Sequence, residues 1–387
     1  MDRAAFRMIE FAAKKLRGSR ILCKFIYYPF KVIFRRRLCS FEYMLYYMAA
    51  NRQYGELFAD SCDAPGDARR LGILKDPFFN HEPYAAACKA MGVGYRIVDI
   101  FAPDWIEQVR KSECKIFLVW PGESIQEWKR LYDDRLRFMV EDMGKTVFPD
   151  VKATWIYGSK ERQCAWLELN GIPHPKTLVF YRRSDAQDFV RGEARYPLVA
   201  KTDIGAVASG VTILRSESMA KRYVDKAFSD GIQGYYSDRE TRQWRHVLFQ
   251  EHLSEAKEWR VHRLGNSFFG FGKVKRGDFH SGSGETDWTP PPIEAFNLAW
   301  EITERSGFRS MAVDIFETTD GRFLVNELQC VYGQHGSIQL IKDGVSGRML
   351  RLPNGEWHFE AGDFCVNHGC NLRVQEALKL LCVQSFS

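Results

Sequence analysis

Short apolar runs alternate with helical stretches in the first half of the chain. By their length and hydrophobic pattern, the runs predict strands and the stretches between them predict helices. The predicted strands are Leu71–Lys75, Tyr95–Ile100, Ile116–Trp120 and Thr146–Phe148, and the predicted helices are Glu82–Met91, Asp104–Lys111 and Ser124–Met143. This order predicts a small parallel sheet with helices on both faces. No Gly-x-Gly-x-x-Gly loop follows the first strand, so we expect no dinucleotide site there.

The pattern becomes less regular after residue 150. Ser159 is placed to cap a helix that Gly171 stops before Pro173. The predicted elements are helices Ser159–Leu169 and Ile293–Ser306 and strands Pro197–Lys201, Val211–Leu214, Val247–Glu251, Trp259–Leu264 and Phe268–Lys275. Upstream of the first sheet, residues 60–70 are rich in Asp, Pro and Gly and predict a linker.

A hairpin is predicted at residues 311–329, with strands at 311–316 and 323–329 around an Asp-Gly turn. Antiparallel pairing would bring Asp314 beside Glu327, and Gln329 would share the face of Glu327 because strand side chains alternate. Two carboxylates in an apolar setting repel each other and are costly to desolvate. A hard divalent ion, Mg²⁺, resolves that conflict. The alternative is a solvent-facing hairpin with incidental acidic residues.

Candidate phosphate ligands precede this hairpin. The loop Gly205–Gly210 consists largely of small residues, among them Ser209, and such a loop lets backbone N–H groups approach phosphate oxygens closely. Lys201 ends the preceding strand and adds a mobile cation for the same phosphates. Lys160, in the first turn of its helix, is a weaker candidate, since most helical lysines are simply solvated.

The strand that ends near residue 251 is a candidate nucleotide contact. Beyond it, the backbone of Gln250, Glu251, His252 and Leu253 leaves a strand with hydrogen-bonding groups that can pair with the edge of an adenine ring.

Two charged residues follow this strand end. Glu258 can accept hydrogen bonds from ribose hydroxyls. Arg260 lies two residues further on and on the same strand face, so it can reach the phosphates.

Charge is concentrated at the beginning of the chain. Of the formal net charge of +6, residues 1–40 carry +9, from eleven Lys and Arg against Asp2 and Glu10, which leaves −3 for the rest. Residues 21–37 interleave basic and aromatic positions but are too short and too charged to span a bilayer. We therefore expect residues 1–57 to be helical and to lie on an anionic membrane surface. The alternative is packing against the rest of the protein or a partner. No nucleic-acid-binding module accompanies the charge, so we expect no nucleic acid partner.

The cysteines and the C-terminal tail carry less information. The ten cysteines show no paired spacing and no signal peptide is evident, which predicts free thiols in a reducing cytoplasm. Cys365, His368 and Cys370 offer three zinc ligands where a structural zinc needs four, so a turn with packed thiols is the simpler interpretation. A final helix, Leu372–Leu381, is expected to cover an edge of the preceding domain, and we assign no chemistry to the tail.

Taken together, the motifs resemble the ATP-grasp superfamily, which includes D-alanine–D-alanine ligase, glutathione synthetase, biotin carboxylase and the glutamate ligases that modify ribosomal proteins. The resemblance covers Val151 to about Ser337. It implies an α/β fold, with α+β character in the grasp part. It also implies a pre-ATP-grasp α/β domain at 66–150, an ATP-grasp domain at 151–345 and a tail at 346–387, after the basic helical extension at 1–65 that the charge pattern predicts.

The resemblance implies roles for the candidates above. The two lysines match those that hold the phosphates of ATP, the small-residue loop matches the flap over them, and residues 250–253 match the hinge that faces adenine. Glu258 matches the ribose acid and Arg260 a phosphate-contacting arginine. The hairpin matches the magnesium ligands of the D…E-x-N pattern, with Gln329 in place of the usual asparagine.

Two further basic residues are assigned through the same resemblance. Lys273 and Arg276 lie on or just past the strand that borders the substrate side in this family. We assign them to contact with phosphate or with an acceptor carboxylate. The alternative is that both are surface charges.

The resemblance implies an ATP-dependent, Mg²⁺-requiring ligase that activates a carboxylate as an acyl phosphate and joins it to an amine. With a membrane-associated basic end, a cytoplasmic enzyme on the inner membrane face that modifies a cell-surface glycan or a peptide would fit. Two alternatives remain: a kinase that leaves the phosphoryl group on its acceptor, and an ATP-binding scaffold without turnover. The sequence does not identify the carboxylate or the amine.

Overall fold

The computed structural model describes residues 59–63, 70–123, 125–205, 210–236, 238–275, 277, 286–332 and 339–384, together with Phe41, Met44, Leu45 and Met48. The predicted basic membrane-binding segment, residues 1–57, lies outside the described residues apart from those four. Two predicted site residues, Ser209 and Arg276, also lie outside them.

The first sheet confirms the alternating pattern of the sequence. Its strands are β1 (Ser61–Cys62), β2 (Arg70–Leu74), β3 (Gly94–Val98), β4 (Ile116–Leu118) and β5 (Thr146–Phe148), with helices α1 (Glu82–Ala90), α2 (Trp105–Lys111) and α3 (Gln126–Glu141). The strand order is β1-β3-β2-β4-β5, and β2 to β5 are parallel. The predicted linker was partly wrong, because β1 lies within it and pairs antiparallel with β3.

Alternating side chains build a core on each face of this sheet. Leu71 and Ile73 pack on the face covered by α1, whereas Leu74 packs with α2 and α3 on the other. Gly72 is required between them, because a Cβ there would lie 2.1 Å from the Phe117 ring.

A second, antiparallel sheet of four strands has the order β6-β9-β7-β8. Its strands are β6 (Thr177–Phe180), β7 (Leu198–Lys201), β8 (Val211–Leu214) and β9 (Val247–Glu251). The helices in this stretch are α4 (Val151–Ile156), α5 (Lys160–Leu169), α6 (Arg183–Gly192) and α7 (Glu217–Ser229). As predicted, Ser159 caps α5 by accepting a hydrogen bond from the Arg162 N–H. Apolar residues of α6 and α7 form one core with this sheet.

The third and largest sheet follows. Its strands are β10 (Lys257–Leu264), β11 (Ser267–Lys273), β12 (Thr286–Asp287), β13 (Ser310–Glu317), β14 (Phe323–Gln329), β15 (Ile341–Lys342), β16 (Val345–Arg351) and β17 (Trp357–Ala361). Its main path is β14-β13-β10-β11-β16-β15, with β12 on β11 and β17 on β16. Helix α8 (Ile293–Ser306) packs on β10, β13 and β14 and ends at Gly307, whose φ of 74° suits glycine. The overall class is α/β, as predicted.

The last helix, α9 (Cys370–Gln384), contains the predicted helix Leu372–Leu381, but it packs on a different part of the molecule from the one expected. The expectation that it covers an edge of the preceding domain was wrong, because Cys370, Val374 and Ala377 complete the core between α1 and the first sheet. No helix in the described ranges combines the length and the apolar character needed to cross a membrane. In those same ranges, no group of three His, Cys, Asp or Glu side chains is placed to bind a metal. Cys365 and Cys370 are buried as free thiols.

Candidate active site

The hairpin of β13 and β14 aligns the two predicted carboxylates. Asp314 lies directly opposite Glu327, and Ala312 lies opposite Gln329. The register shifts after Asp314, so that Ile315 faces Val325 and Asn326 is the extra residue of a β-bulge. The pairing and the position of the turn agree with the prediction: Gly321 N–H donates to Thr318 O, and Gly321 has the expected positive φ, at 80°. Thr318 N–H also donates to Arg322 O.

Asp314 is held by two cations from neighbouring strands. Arg260 on β10 lies opposite Asp314 and donates to both of its carboxylate oxygens, at 2.6 and 2.7 Å. Lys273 on β11 donates to Asp314 Oδ2 at 2.5 Å and to Glu258 Oε1 at 2.7 Å. Burial alone would raise the pKa of Asp314, but the two cations outweigh it and hold the pKa well below its usual range. The carboxylate is therefore ionised.

Glu327 and Gln329 differ from Asp314 because their side chains make no hydrogen bond or ion pair within the described ranges. Both are half-buried on β14, on the face that Asp314 shares. Two carboxylates and an amide oxygen are the donors that Mg²⁺ prefers. The residues present therefore fit a magnesium ion, with two of the three donors unengaged.

Lys201 reaches this face from the four-stranded sheet. Its Nζ donates to Asn326 Oδ1 at 2.9 Å, and Asn326 Nδ2 donates to Glu258 Oε1 at 3.2 Å. Burial lowers the pKa of Lys201 to about 8, although the charge of Glu327 opposes that shift. Sequence reasoning missed Asn326. A strictly alternating strand would turn it away from Glu327, and only the bulge brings it to the site.

Lys160 and the flap are linked through Asp203. Lys160 Nζ donates to the backbone carbonyls of Asp203 and Gly205, at 3.3 and 2.9 Å. The Ser159 hydroxyl donates to the Asp203 carboxylate at 2.9 Å, which ties the start of α5 to the end of β7. At the far side of the flap, a Cβ on Gly210 would lie 1.8 Å from Thr202 Oγ1, so only glycine fits. The two predicted lysines therefore flank one loop.

The predicted hinge leaves β9 after Glu251. Glu251 accepts a hydrogen bond from the Lys176 N–H at 2.7 Å, and Gln250 Nε2 donates to Thr177 Oγ1 at 3.1 Å. The Leu253 N–H has no partner in the part of the chain that is described, which suits contact with a ligand. His252 adjoins Leu253 in the same turn.

A small pocket with a cavity volume of about 20 Å³ lies beside this hinge and opens to solvent. Among the residues that line it are Lys160, Lys201, Gln250, Leu248 and Asn326. It therefore joins the two lysines and the hinge, which are predicted phosphate and adenine contacts. Glu258 lies deeper, 3% exposed, against Lys273 and Asn326. Its contact with ribose stays a prediction.

Glu123 is a second residue that the sequence did not reveal. It follows β4 of the first sheet, and its carboxylate accepts a hydrogen bond from the Tyr157 hydroxyl at 2.9 Å. Burial, followed by the charge of Glu327, raises the pKa of Glu123 to about 7. A Cβ on Gly158 would lie 2.6 Å from Glu123 Oε2, so glycine is needed there. The sequence did contain one signal for Glu123: it follows a predicted parallel strand, and ligand-binding sites form at the carboxyl ends of parallel strands.

Comparison with known proteins supports the fold. No protein-family model and no curated protein match the sequence. Solved structures do match. The N5-carboxyaminoimidazole synthetase of Staphylococcus aureus, solved with ADP, is 14% identical with a TM-score of 0.50, over 76% of this chain and 85% of that one. The biotin carboxylase domain of the Hydrogenobacter thermophilus 2-oxoglutarate carboxylase, solved with MgADP, ADP and bicarbonate, is 12% identical with a TM-score of 0.50.

The match to the Hydrogenobacter domain covers 68% of this chain and 64% of that one, so this chain spans less than two thirds of its length. A RimK-domain ATP-grasp protein from Sphaerobacter thermophilus is 20% identical with a TM-score of 0.47, over 67% of this chain and 90% of that one. The architecture of three sheets is the ATP-grasp fold, and this chain has it.

Proposed function

We propose that the protein is an ATP-dependent ligase that activates a carboxylate as an acyl phosphate and joins it to an amine. The observation that carries the proposal is the convergence of Lys201, Arg260, Asp314 and Glu327 on one junction of two sheets. Cations and carboxylates in such proximity suit a ligand that brings both negative phosphates and a metal ion. The ADP and MgADP bound in the similar structures support a nucleotide at this place.

The pocket beside the hinge gives the nucleotide its orientation. Adenine would meet the backbone at Gln250–Leu253, and the phosphates would extend toward Lys160, Lys201 and the flap. Lys160 now donates only to backbone carbonyls, so a phosphate can replace those acceptors at little cost. The γ-phosphate would then lie beside the hairpin.

Asp314, Glu327 and Gln329 would hold Mg²⁺, which supplies charge neutralisation and orientation of the phosphates. Arg260 and Lys273 provide positive charge at the same face whether or not the metal is bound. In the reaction, a carboxylate oxygen attacks the γ-phosphorus and the bond to the β-phosphate oxygen breaks, which yields an acyl phosphate and ADP. An amine then attacks the acyl carbon, and inorganic phosphate leaves as the amide forms.

The substrate proposal is broader. We propose a small-molecule or glycan-linked carboxylate and an amine acceptor, and no nucleic acid. We also propose that residues 1–57 bring the enzyme to an anionic membrane surface on the cytoplasmic side. The basic and aromatic composition of residues 21–37 supports this location.

An ADP-release screen over amino acids and sugar acids, with ATP labelled on its γ-phosphate, tests the reaction. The ligase proposal expects label released as inorganic phosphate together with amide formation. Label that stays on the acceptor would identify a kinase instead. Lys201→Met is the matched control, because it removes the phosphate contact and its activity must fall. ATP binding without turnover of any acid tested, unchanged in Glu327→Ala, would favour a scaffold.

A further inference from the structure

A second buried arginine lies on the last helix, away from the nucleotide contacts. Arg373 is completely buried, and it donates from Nε to Ser310 Oγ at 3.1 Å and from Nη1 to His368 O at 2.9 Å. Its Nη2 has no hydrogen-bond partner in the described structure. Its flat faces lie over Trp120 and Tyr332, with the guanidinium carbon 5.6 and 4.7 Å from the ring centroids.

Arg373 differs from the other buried cations of the molecule in its charge balance. Arg260 pairs with Asp314, Arg263 with Glu304 and Lys129 with Asp133. Arg373 has no carboxylate at ion-pair distance anywhere in the described ranges. A buried charge without a counter-ion is costly, and aromatic rings compensate for only part of that cost. An anionic partner would offset that cost.

Two neighbours of Arg373 also have unsatisfied polar atoms. Tyr332 is 2% exposed and its hydroxyl has no partner in the described structure. The ring of His262 stacks on Tyr332 at 4.1 Å, and neither of its nitrogens has a partner there. Buried polar atoms are nearly always hydrogen-bonded, so three adjacent residues with such atoms indicate a missing ligand.

The cluster of Arg373, Tyr332 and His262 adjoins the candidate active site. His262 lies on β10 two residues beyond Arg260, on the same face, which corresponds to about 7 Å along a strand. Trp120 lies under Arg373 in the chain segment that leads to Glu123. The cluster therefore extends the carboxylate hairpin on the side away from Lys201, where a substrate rather than ATP would lie.

We propose that Arg373, Tyr332 and His262 form a subsite for an anionic group of the substrate, either a carboxylate or a phosphate. This inference rests on the proposed ligase function. It narrows the substrate class to acids that carry a second acidic group besides the carboxylate that is phosphorylated. Arg373 supplies the charge and the Tyr332 hydroxyl a neutral donor, while the stacked His262 ring orients the tyrosine.

Calorimetric titration of the full-length protein tests the subsite with two probes, glutarate and inorganic phosphate, in the presence of MgADP. Neutral glutaramide is the probe control. We expect the wild type to bind at least one anion and not glutaramide. Arg373→Met should weaken that binding at least about tenfold, and Tyr332→Phe about two- to tenfold. The exposed arginine of an Arg191→Met variant is the matched control for general charge effects, and its affinity should not change.

Tyr332→Phe decides the outcome if Arg373→Met does not fold, since the deleted hydroxyl has no partner whose loss could destabilise the protein. Equal anion affinity in wild type, Arg373→Met and Tyr332→Phe would overturn the subsite. So would binding that is lost in Lys201→Met but kept in Arg373→Met, because the anion would then lie in the nucleotide site. MgADP binding without anion binding defeats the subsite alone, whereas anion binding without MgADP binding defeats the proposed function.

Discussion

The two sheets that meet at the candidate active site hold their charged residues in different ways. On the large sheet, Asp314 is buried and both of its oxygens bond to the cations Arg260 and Lys273. On the four-stranded sheet and its neighbouring helix, Lys160 bonds only to backbone carbonyls and Lys201 to a single amide oxygen. One region is neutralised by its own side chains, and the other holds positive charge on neutral acceptors.

This difference separates stability from ligand affinity. The ion pairs hold Asp314, Arg260 and Lys273 in place without a ligand, so mutations of these residues should lower the free energy of unfolding. Neutral acceptors are weak competitors for a phosphate, so mutations of the lysines should act on nucleotide binding. Glu327 is the exception on the large sheet, because its carboxylate has no partner within the described residues.

The largest effect is expected for Asp314→Ala. It leaves Arg260 and Lys273 buried beside each other without their shared counter-ion, and breaking a buried pair costs about 3–5 kcal/mol. Urea denaturation should show that loss in the free energy of unfolding. Glu327→Ala is the matched control on the neighbouring strand and should be nearly neutral. Similar free energies of unfolding for the two variants would show that the ion pairs of Asp314 do not stabilise the large sheet.

Glu327→Gln should act on turnover instead. The substitution keeps the size of a side chain that has no partner in the described structure, so we expect the free energy of unfolding to change by less than about 0.5 kcal/mol. Loss of one charged contact to the transition state should lower kcat about a hundredfold. Steady-state ADP release, measured beside the denaturation curve of the same preparation, checks both values. Full activity in this variant would show that the Glu327 carboxylate does not contribute to turnover.

Lys201 should give nucleotide binding an unusual pH dependence. Because burial lowers its pKa to about 8, the lysine is charged below that pH and loses its charge as the pH rises through it. ADP affinity should therefore fall by about tenfold above pH 8, where an ordinary lysine would still be charged. Lys201→Arg is the control, since arginine stays charged throughout and should abolish the decline. Calorimetry without Mg²⁺ isolates this group from metal binding.

The sequence predicted the elements better than it predicted their finer geometry. Strand alternation was enough to place Asp314 opposite Glu327, because a buried face fixes the register of an antiparallel pair. The bulge that brings Asn326 to Lys201 was not predictable, since one extra residue carries no periodic signal. Glu123 and Arg373 were missed for another reason. They come from segments far apart in the sequence, and only the packing of the first sheet and α9 against the large sheet brings them to the site.

The smallest effect is expected at Gln329, where the sequence departs from the asparagine of the ATP-grasp pattern. The β13–β14 register fixes its backbone opposite Ala312, and its side chain has no partner in the described ranges, so Gln329→Asn should leave stability unchanged. The shorter amide would reach Mg²⁺ through a water molecule, and we expect the Mg²⁺ needed for half-maximal ADP binding to rise about two- to fivefold. Gln126→Asn, at an exposed position on α3, is the control. If the Mg²⁺ dependence of Gln329→Asn matched that of the wild type, Gln329 would not be a ligand, and Asp314 and Glu327 alone would hold the metal.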